Sequence, residues 1–405
     1  MPNRIRTEAG AHVLVVGRKS DWRTGVVSSG IVLVGLLLLL LMLLVTSCTS
    51  PAPTSAPITP TPLTSSPLTI SELSLLKRVE IANAARPEII ATEDRVFIVY
   101  LEPSKNGNAF KIKIYDGDLT GEITSKTLVT NSASYGQPTD IRVVSDGAYL
   151  YAFYETADRE RSYLWGAKYT LDDTFERVAY QGPIATSKMF LLDEPGDEKL
   201  DDPAPMLEGD NVYVMTRYKT SLTKEGETRF KLRRFDKNLN LQSEFELDLS
   251  AYADGEGRQS SIVYEKGYYY IALPTTTGGG NIVEAVEWTA PSDIIIVKLD
   301  RNWNVKESKI IAQEEGYTEG YVTGLKSDGE YFYVTYNQVI LGKEFSSVIK
   351  IYDKNWNVVL TKEYLTASDV KTGLRPSIEV TASRVYAGNS EYGTESADIY
   401  IFKKK

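Results

Sequence analysis

The chain of 405 residues carries a net charge of −9 and holds a single histidine and a single cysteine. His12 falls in the N-terminal leader, so Ser-His-Asp and Cys-His catalysis and zinc sites of the usual kinds are excluded for the body. Without residues 1–47 there are 40 basic against 52 acidic side chains, a net of −12 with no basic stripe, which makes nucleic acid a poor partner.

Residues 1–47 read as a signal peptide or signal anchor. Arg4, Arg6, Arg18, Lys19 and Arg23 precede Val26–Val45, an uncharged stretch long enough to cross a bilayer. It ends in Val45-Thr46-Ser47-Cys48, which resembles the lipobox of prokaryotic lipoproteins. The resemblance implies cleavage before Cys48 and lipidation of its thiol. The alternative is an uncleaved N-terminal helix. Either way the basic flank stays inside, leaving the body outside the cytoplasmic membrane, anchored to the membrane or cell surface. Residues 48–74 are rich in Pro, Thr and Ser, cannot bury a core, and are expected to form an extended, disordered tether.

Residues 75–405 read as β throughout, with abundant Tyr and regular Gly and Asn-Asp punctuation. A hairpin recurs as Phe-Asp-Lys-Asn-Leu-Asn-Leu at Phe235–Leu241, Leu-Asp-Arg-Asn-Trp-Asn-Val at Leu299–Val305 and Tyr-Asp-Lys-Asn-Trp-Asn-Val at Tyr352–Val358. Looser copies lie at Tyr115–Gly121 and around Tyr169–Thr174. Asp at the head of such a turn accepts from amides further on, and Asn tolerates the left-handed region that later turn positions need. Ile294–Leu299 is nearly continuous in β-branched residues, as in a strand buried on both faces, whereas Ile112–Tyr115 and Val348–Tyr352 alternate and predict one wetter face. The hairpin loosely resembles the Asp-box turn of sialidase-like propellers, in which that turn is structural and remote from the active site.

Before each hairpin come two more strands, as in Ile141–Val144 followed by Ala148–Tyr154 and Ser377–Val380 followed by Arg384–Ala387. Six such units at a spacing of roughly 50–65 residues predict an all-β propeller of six four-stranded blades. The last unit lacks a fourth strand, and an orphan strand, Lys77–Ala82, precedes the first. That segment is expected to complete the last blade and close the ring. Tyr149, Tyr151, Tyr213, Tyr269, Tyr331 and Tyr333 recur at equivalent strand positions and predict inter-blade core, with Trp303 and Trp356 packing from the hairpins.

Registering the units on the turn before the second strand, with one extra residue allowed in the second and fifth, puts six polar residues where the first strands begin. They are Arg86, Gln137, Asp202, Arg258, Glu319 and Arg375. In a propeller these circle one mouth of the central channel. They form either a ring of ion pairs plugging the axis or a pocket in which Arg86, Arg258 and Arg375 grip an anionic or hydroxyl-rich ligand. Arg86-Pro87 resembles the start of the first arginine motif of sialidases, and Asp202-Pro203 with Asn211–Met215 resembles the blade openings of furanosidase-type glycoside hydrolases. The second resemblance implies a carboxylate pair, for which Asp202 and Glu319 are the candidates. Trp165 and Trp288 break the repeat; Trp288, in the insertion Thr276–Ser292, is the better ligand platform. The acidic insertion Gln181–Asp201 is expected on the same face. No metal site, cofactor motif or phosphate loop is expected. The expectation is a tethered, non-catalytic module that binds a ligand such as carbohydrate or an envelope protein. A carboxylate-dependent glycoside hydrolase on the same scaffold is the alternative.

Overall fold

The computed structural model describes residues 70–132, 134–158, 160–188, 198–219, 228–252, 260–276, 292–312, 317–340, 344–367, 375–390 and 396–405. The chain begins with β1 (Leu73–Ala82) and then repeats one unit. Blade 1 is β2 (Ala85–Ala91), β3 (Arg95–Glu102), β4 (Ala109–Asp116) and β5 (Glu122–Thr130). Blade 2 is β6 (Gln137–Ser145), β7 (Tyr149–Ala157), β8 (Arg161–Thr170) and β9 (Arg177–Lys188). Blade 3 is β10 (Glu198–Glu208), β11 (Asn211–Lys219), β12 (Thr228–Asp236) and β13 (Leu241–Asp248). Blade 4 is β14 (Ser261–Glu265), β15 (Tyr268–Thr276), β16 (Ser292–Leu299) and β17 (Val305–Ala312). Blade 5 is β18 (Tyr317–Ser327), β19 (Phe332–Ile340), β20 (Glu344–Tyr352) and β21 (Val358–Ala367). Blade 6 is β22 (Ser377–Val380), β23 (Arg384–Ser390) and β24 (Ser396–Lys404), with β1 as its outer strand.

The six four-stranded sheets are antiparallel and ordered as a six-bladed propeller, closed as the orphan strand predicted. β1 pairs with β24 from Leu73↔Lys404 to Ala82↔Ser396, beginning before the predicted segment, and Arg78 clasps Asp398 at 2.7 and 2.8 Å. Pairing the two termini removes the bare edge β24 would otherwise present. Six apolar clusters fill the six junctions between neighbouring blades, and the first strands touch in a ring around the axis. Tyr151, Tyr213, Tyr269, Tyr331 and Tyr333 are buried in these junctions, as expected.

Two expectations are corrected. Val348–Tyr352 has no wet face: every residue in it, Lys350 included, is buried. In blade 5 this third strand is covered on both faces by neighbouring blades, unlike β4, where Lys113 stays part-exposed, and the Lys350 ammonium lies 5.6 Å from the Tyr336 ring centroid. In the hairpins the left-handed position falls to Leu239, Trp303 and Trp356 rather than to an Asn. The turn Asp accepts from the amides on either side of that position: Asp353 from Asn355 and Asn357, both at 2.8 Å. The left-handed backbone costs about 1–2 kcal/mol. Burying a large apolar side chain returns roughly 1.5–3 kcal/mol. Trp356 is 5% exposed and stacks on Phe332 at 4.4 Å, and Trp303 stacks on Tyr269 at 3.7 Å. Packing therefore decides which residue takes the strained position.

Candidate functional site

The hairpins joining first to second strands set the register of the channel wall, and all six close over two residues. Closure runs Thr92 to Arg95, Asp146 to Tyr149, Glu208 to Asn211, Glu265 to Tyr268, Asp328 to Tyr331 and Thr381 to Arg384. No unit carries an extra residue in this turn. The expected registers of the second and fifth units therefore shift: the residue level with Arg86 is Asp140 rather than Gln137, and Glu319, paired with Gln338, lies further out than that level. Asp140 faces Glu155 across the β6–β7 pair, while Gln137 pairs with Ala157 further out on the rim and is exposed.

Asp140 is the residue that sequence reasoning missed, and it organises this end of the channel. It is 1% exposed and takes two guanidiniums on one carboxylate oxygen: Arg86 at 3.4 Å, and Arg375, which arrives just ahead of β22. Arg86 also donates to the Thr139 carbonyl and holds a left-handed backbone (φ 54°). Blades 1, 2 and 6 are thus tied by one carboxylate. One step deeper the arrangement repeats between β2 and β6, where Arg142 donates to Glu88 at 2.6 Å. Burial, with help from the nearby Asp140 charge, pushes the Glu88 carboxyl above its ordinary range, against the pull of Arg142. Lys326 and Glu379 pair at 2.7 Å across blades 5 and 6.

Level with Glu88 and Arg142 the other first strands present Ala204, Ser261, Gly324 and Ser377, as read from the rungs of the ladders. Four small residues out of six leave room on the axis. A cavity of about 170 Å³ opens there, lined by all six first strands. Ser377 Oγ is buried in that lining without a hydrogen-bond partner among the described residues. The lining mixes apolar side chains with Glu88, Arg142, Lys326 and serine hydroxyls, a combination suited to water or a small hydroxylated group.

The mouth end of four first strands is also bulged. Register shifts fall between Ala85 and Glu88, Pro138 and Asp140, Lys199 and Ala204, and Glu319 and Thr323. Asp202 lies within the β10 bulge and Glu319 borders the β18 bulge. Bulges re-aim side chains and gather beside functional sites. Of the residues expected at the mouth, the structure brings Arg86 and Arg375 together and places Gln137 on the rim. Asp202 and Glu319 are described by backbone alone. Arg258, Trp288 and Cys48 lie outside the described residues, as do 189–197 and 277–291 of the two insertions, whose remaining residues extend β9, β10, β15 and β16. Among the described residues no cluster of His, Cys, Asp and Glu could hold a metal ion, and no helix is long and apolar enough to cross a membrane.

No protein-family model and no curated protein matches the sequence. Among solved structures, phage phi92 endosialidase is similar with a TM-score of 0.53 at 9% identity, over 81% of this chain and 69% of that one. A GH43 endo-arabinanase from Bacillus licheniformis matches at TM-score 0.38 and 12% identity, over 79% of this chain and 93% of that one. An exo-1,5-α-L-arabinanase from a bovine ruminal metagenomic library matches at TM-score 0.43 and 12% identity, over 70% and 99%. At such identities the endosialidase likeness speaks for the fold alone, and this chain is a six-bladed β-propeller of four-stranded antiparallel sheets.

Proposed function

We propose that this chain is a tethered, carbohydrate-active propeller, a carboxylate-dependent glycoside hydrolase whose glycan enters the mouth ringed by Arg86, Gln137, Asp140, Asp202, Glu319 and Arg375. The observation that carries the reading is the pair of carboxylates, Asp202 and Glu319, each at a bulge at the mouth end of its first strand. The Arg86–Asp140–Arg375 cluster supports it by fixing charge at that same end before any ligand arrives. Glycosidic cleavage needs one carboxyl to protonate the leaving oxygen and one carboxylate to attack or activate water. Asp202 and Glu319 are assigned those roles, with Asp140 at the same end of the channel in blade 2. The anchor at Cys48 and the tether hold the domain outside the cell membrane, where polysaccharide is found.

The test is a hydrolysis screen of the full-length chain against neutral and acidic polysaccharides, beside Asp202→Asn and Glu319→Gln. Each variant should fold and lose roughly 10²–10⁴-fold in turnover. Turnover within about threefold of the parent in both variants would remove these carboxylates from the mechanism. A second reading is favoured by the fact that Arg86 and Arg375 are both engaged by Asp140. On that reading the mouth binds glycan or an envelope protein without cleaving it. Specific binding with no turnover in the parent would select it.

A further inference from the structure

One set of residues is left unexplained by the mouth and by the repeat. Trp165 faces Tyr154 across the β7–β8 pair. The matching rungs of the other blades carry Lys111, Lys231, Ile295, Val348 and Asp398. Blade packing therefore does not call for an indole at this level. In blade 2 the indole supports two exposed rings. Tyr135, 38% exposed, meets it edge to face at 4.8 Å, and Tyr180, 47% exposed, lies parallel to it at 5.8 Å. Tyr163 joins from β8, 5.2 Å from Tyr135.

The rings are closely packed on the blade. Gly136, at φ +72°, sits so close to the backbone of Ala157 that any Cβ there would collide with it, and it carries Tyr135 in the β5–β6 connection. A Cβ on Gly182 would strike the indole, so the glycine lets β9 pass flat against Trp165. The Trp165 Nε1–H donates to Thr156 at 2.9 Å. Polar groups border the rings. Asp158 accepts from the Tyr163 hydroxyl at 3.0 Å and from the Glu160 and Arg161 amides at 2.7 Å. Arg177 lies over Tyr180 at 4.9 Å, and the exposed amide of Gln137, two residues beyond Tyr135, begins the mouth rim.

We propose that Tyr135, Tyr163 and Tyr180, braced by Trp165, form a second carbohydrate-binding site, a stacking ledge for sugar rings of a chain that leaves the mouth past Gln137. The proposal deepens the carbohydrate reading of the mouth and rests on it. The chemistry of the surface points to this occupant. A pyranose offers an apolar C–H face to an aromatic ring and a rim of hydroxyls to carboxylates, amides and guanidiniums, and both kinds of group alternate here. A protein partner would need about 800 Å² of contact on each side. The exposed large apolar side chains on this flank are only Tyr135, Val178 and Tyr180 among the described residues.

The experiment is titration calorimetry of the full-length chain with disaccharides and with long oligomers of whichever glycans bind on an array. The parent is compared with Tyr135→Ala/Tyr180→Ala, Tyr135→Phe/Tyr180→Phe and the mouth variant Asp202→Ala/Glu319→Ala. Both ledge tyrosines are exposed, so the alanine variant should melt like the parent. It should bind long oligomers about tenfold more weakly while disaccharide affinity is unchanged, and the phenylalanine variant should recover the loss. Unchanged oligomer affinity in the alanine variant, with binding abolished in the mouth variant, overturns the ledge and leaves the mouth standing. A loss in the alanine variant with none in the mouth variant supports the ledge and overturns the mouth. No glycan bound by the parent overturns both.

Discussion

Replacing Asp140 by Asn tests whether one carboxylate ties three blades. The side chain is 1% exposed, and a single oxygen, Oδ2, receives both Arg86 and Arg375. At 3.4 Å and an effective dielectric of ~20, the attraction to Arg86 alone is about 5 kcal/mol gross. Desolvating the carboxylate offsets much of that in the parent. Removing it takes the shared carboxylate from two part-buried guanidiniums, a change that typically costs 3–5 kcal/mol. Arg86 and Arg375 keep 32% and 16% side-chain exposure, so water relieves part of the loss and the expected figure is the lower end, about 3 kcal/mol. Urea unfolding followed by tryptophan fluorescence reads this as a shift in midpoint at constant slope. Arg375→Met should cost less. In the double variant the two losses should fail to add by at least about 1 kcal/mol, because the residues share one contact. A loss under about 0.5 kcal/mol for Asp140→Asn, or strict additivity, would refute the tie.

The pH dependence has two arms. The hairpin carboxylates Asp116, Asp172, Asp236, Asp300 and Asp353 are held below the ordinary value of 3.8 by side-chain donors and turn amides, Asp300 down to about 2, chiefly by Lys306. Because the folded state binds their protons less readily than the unfolded chain, stability should be full above pH 3.8 and fall as pH drops towards 2, as read by thermal melts. Glu88 acts in the opposite sense: raised from 4.5 by burial, it should cost stability as pH rises through its folded value. Glu88→Gln should flatten that arm alone. Trp356→Ala should cost about 3–5 kcal/mol, since a nearly buried indole stacked on Phe332 leaves a cavity. Deleting residues 70–82 removes β1 and bares β24, so light scattering should report aggregation where the full chain stays monodisperse.

The fold was legible because the blade is a local object repeated. Period-two apolar strands, two-residue hairpins and the Asp-Lys-Asn turn each act within a few residues, so six copies state six blades. The missing last strand and the orphan first strand are likewise a matter of counting, and β1 pairs with β24 as the count required. The site was legible only in part. Arg86 and Arg375 were found because charged residues at the opening of an apolar strand stand out in any register. Asp140 was missed because the second blade was registered three residues too far from its hairpin, and only the observed two-residue closure at Gly147-Ala148 and the bulge between Pro138 and Asp140 restore it. The signal available in the sequence was a buried-strand carboxylate preceding Ile141-Arg142-Val143.

The sequence by itself determined what each segment can form. It also determined that the body has only carboxylates, Arg, Lys, Tyr and backbone for chemistry, because composition and alternation depend on nothing outside the segment. The tertiary structure decided which residues share a level around the axis. That turns on bulges and loop closures, where a shift of one residue reverses the face of every side chain that follows. It also decided that Leu239, Trp303 and Trp356 take the left-handed turn position, because burial against another strand outweighs a local preference. Contacts between residues hundreds of positions apart, such as Arg375 with Asp140, exist only once the ring has closed.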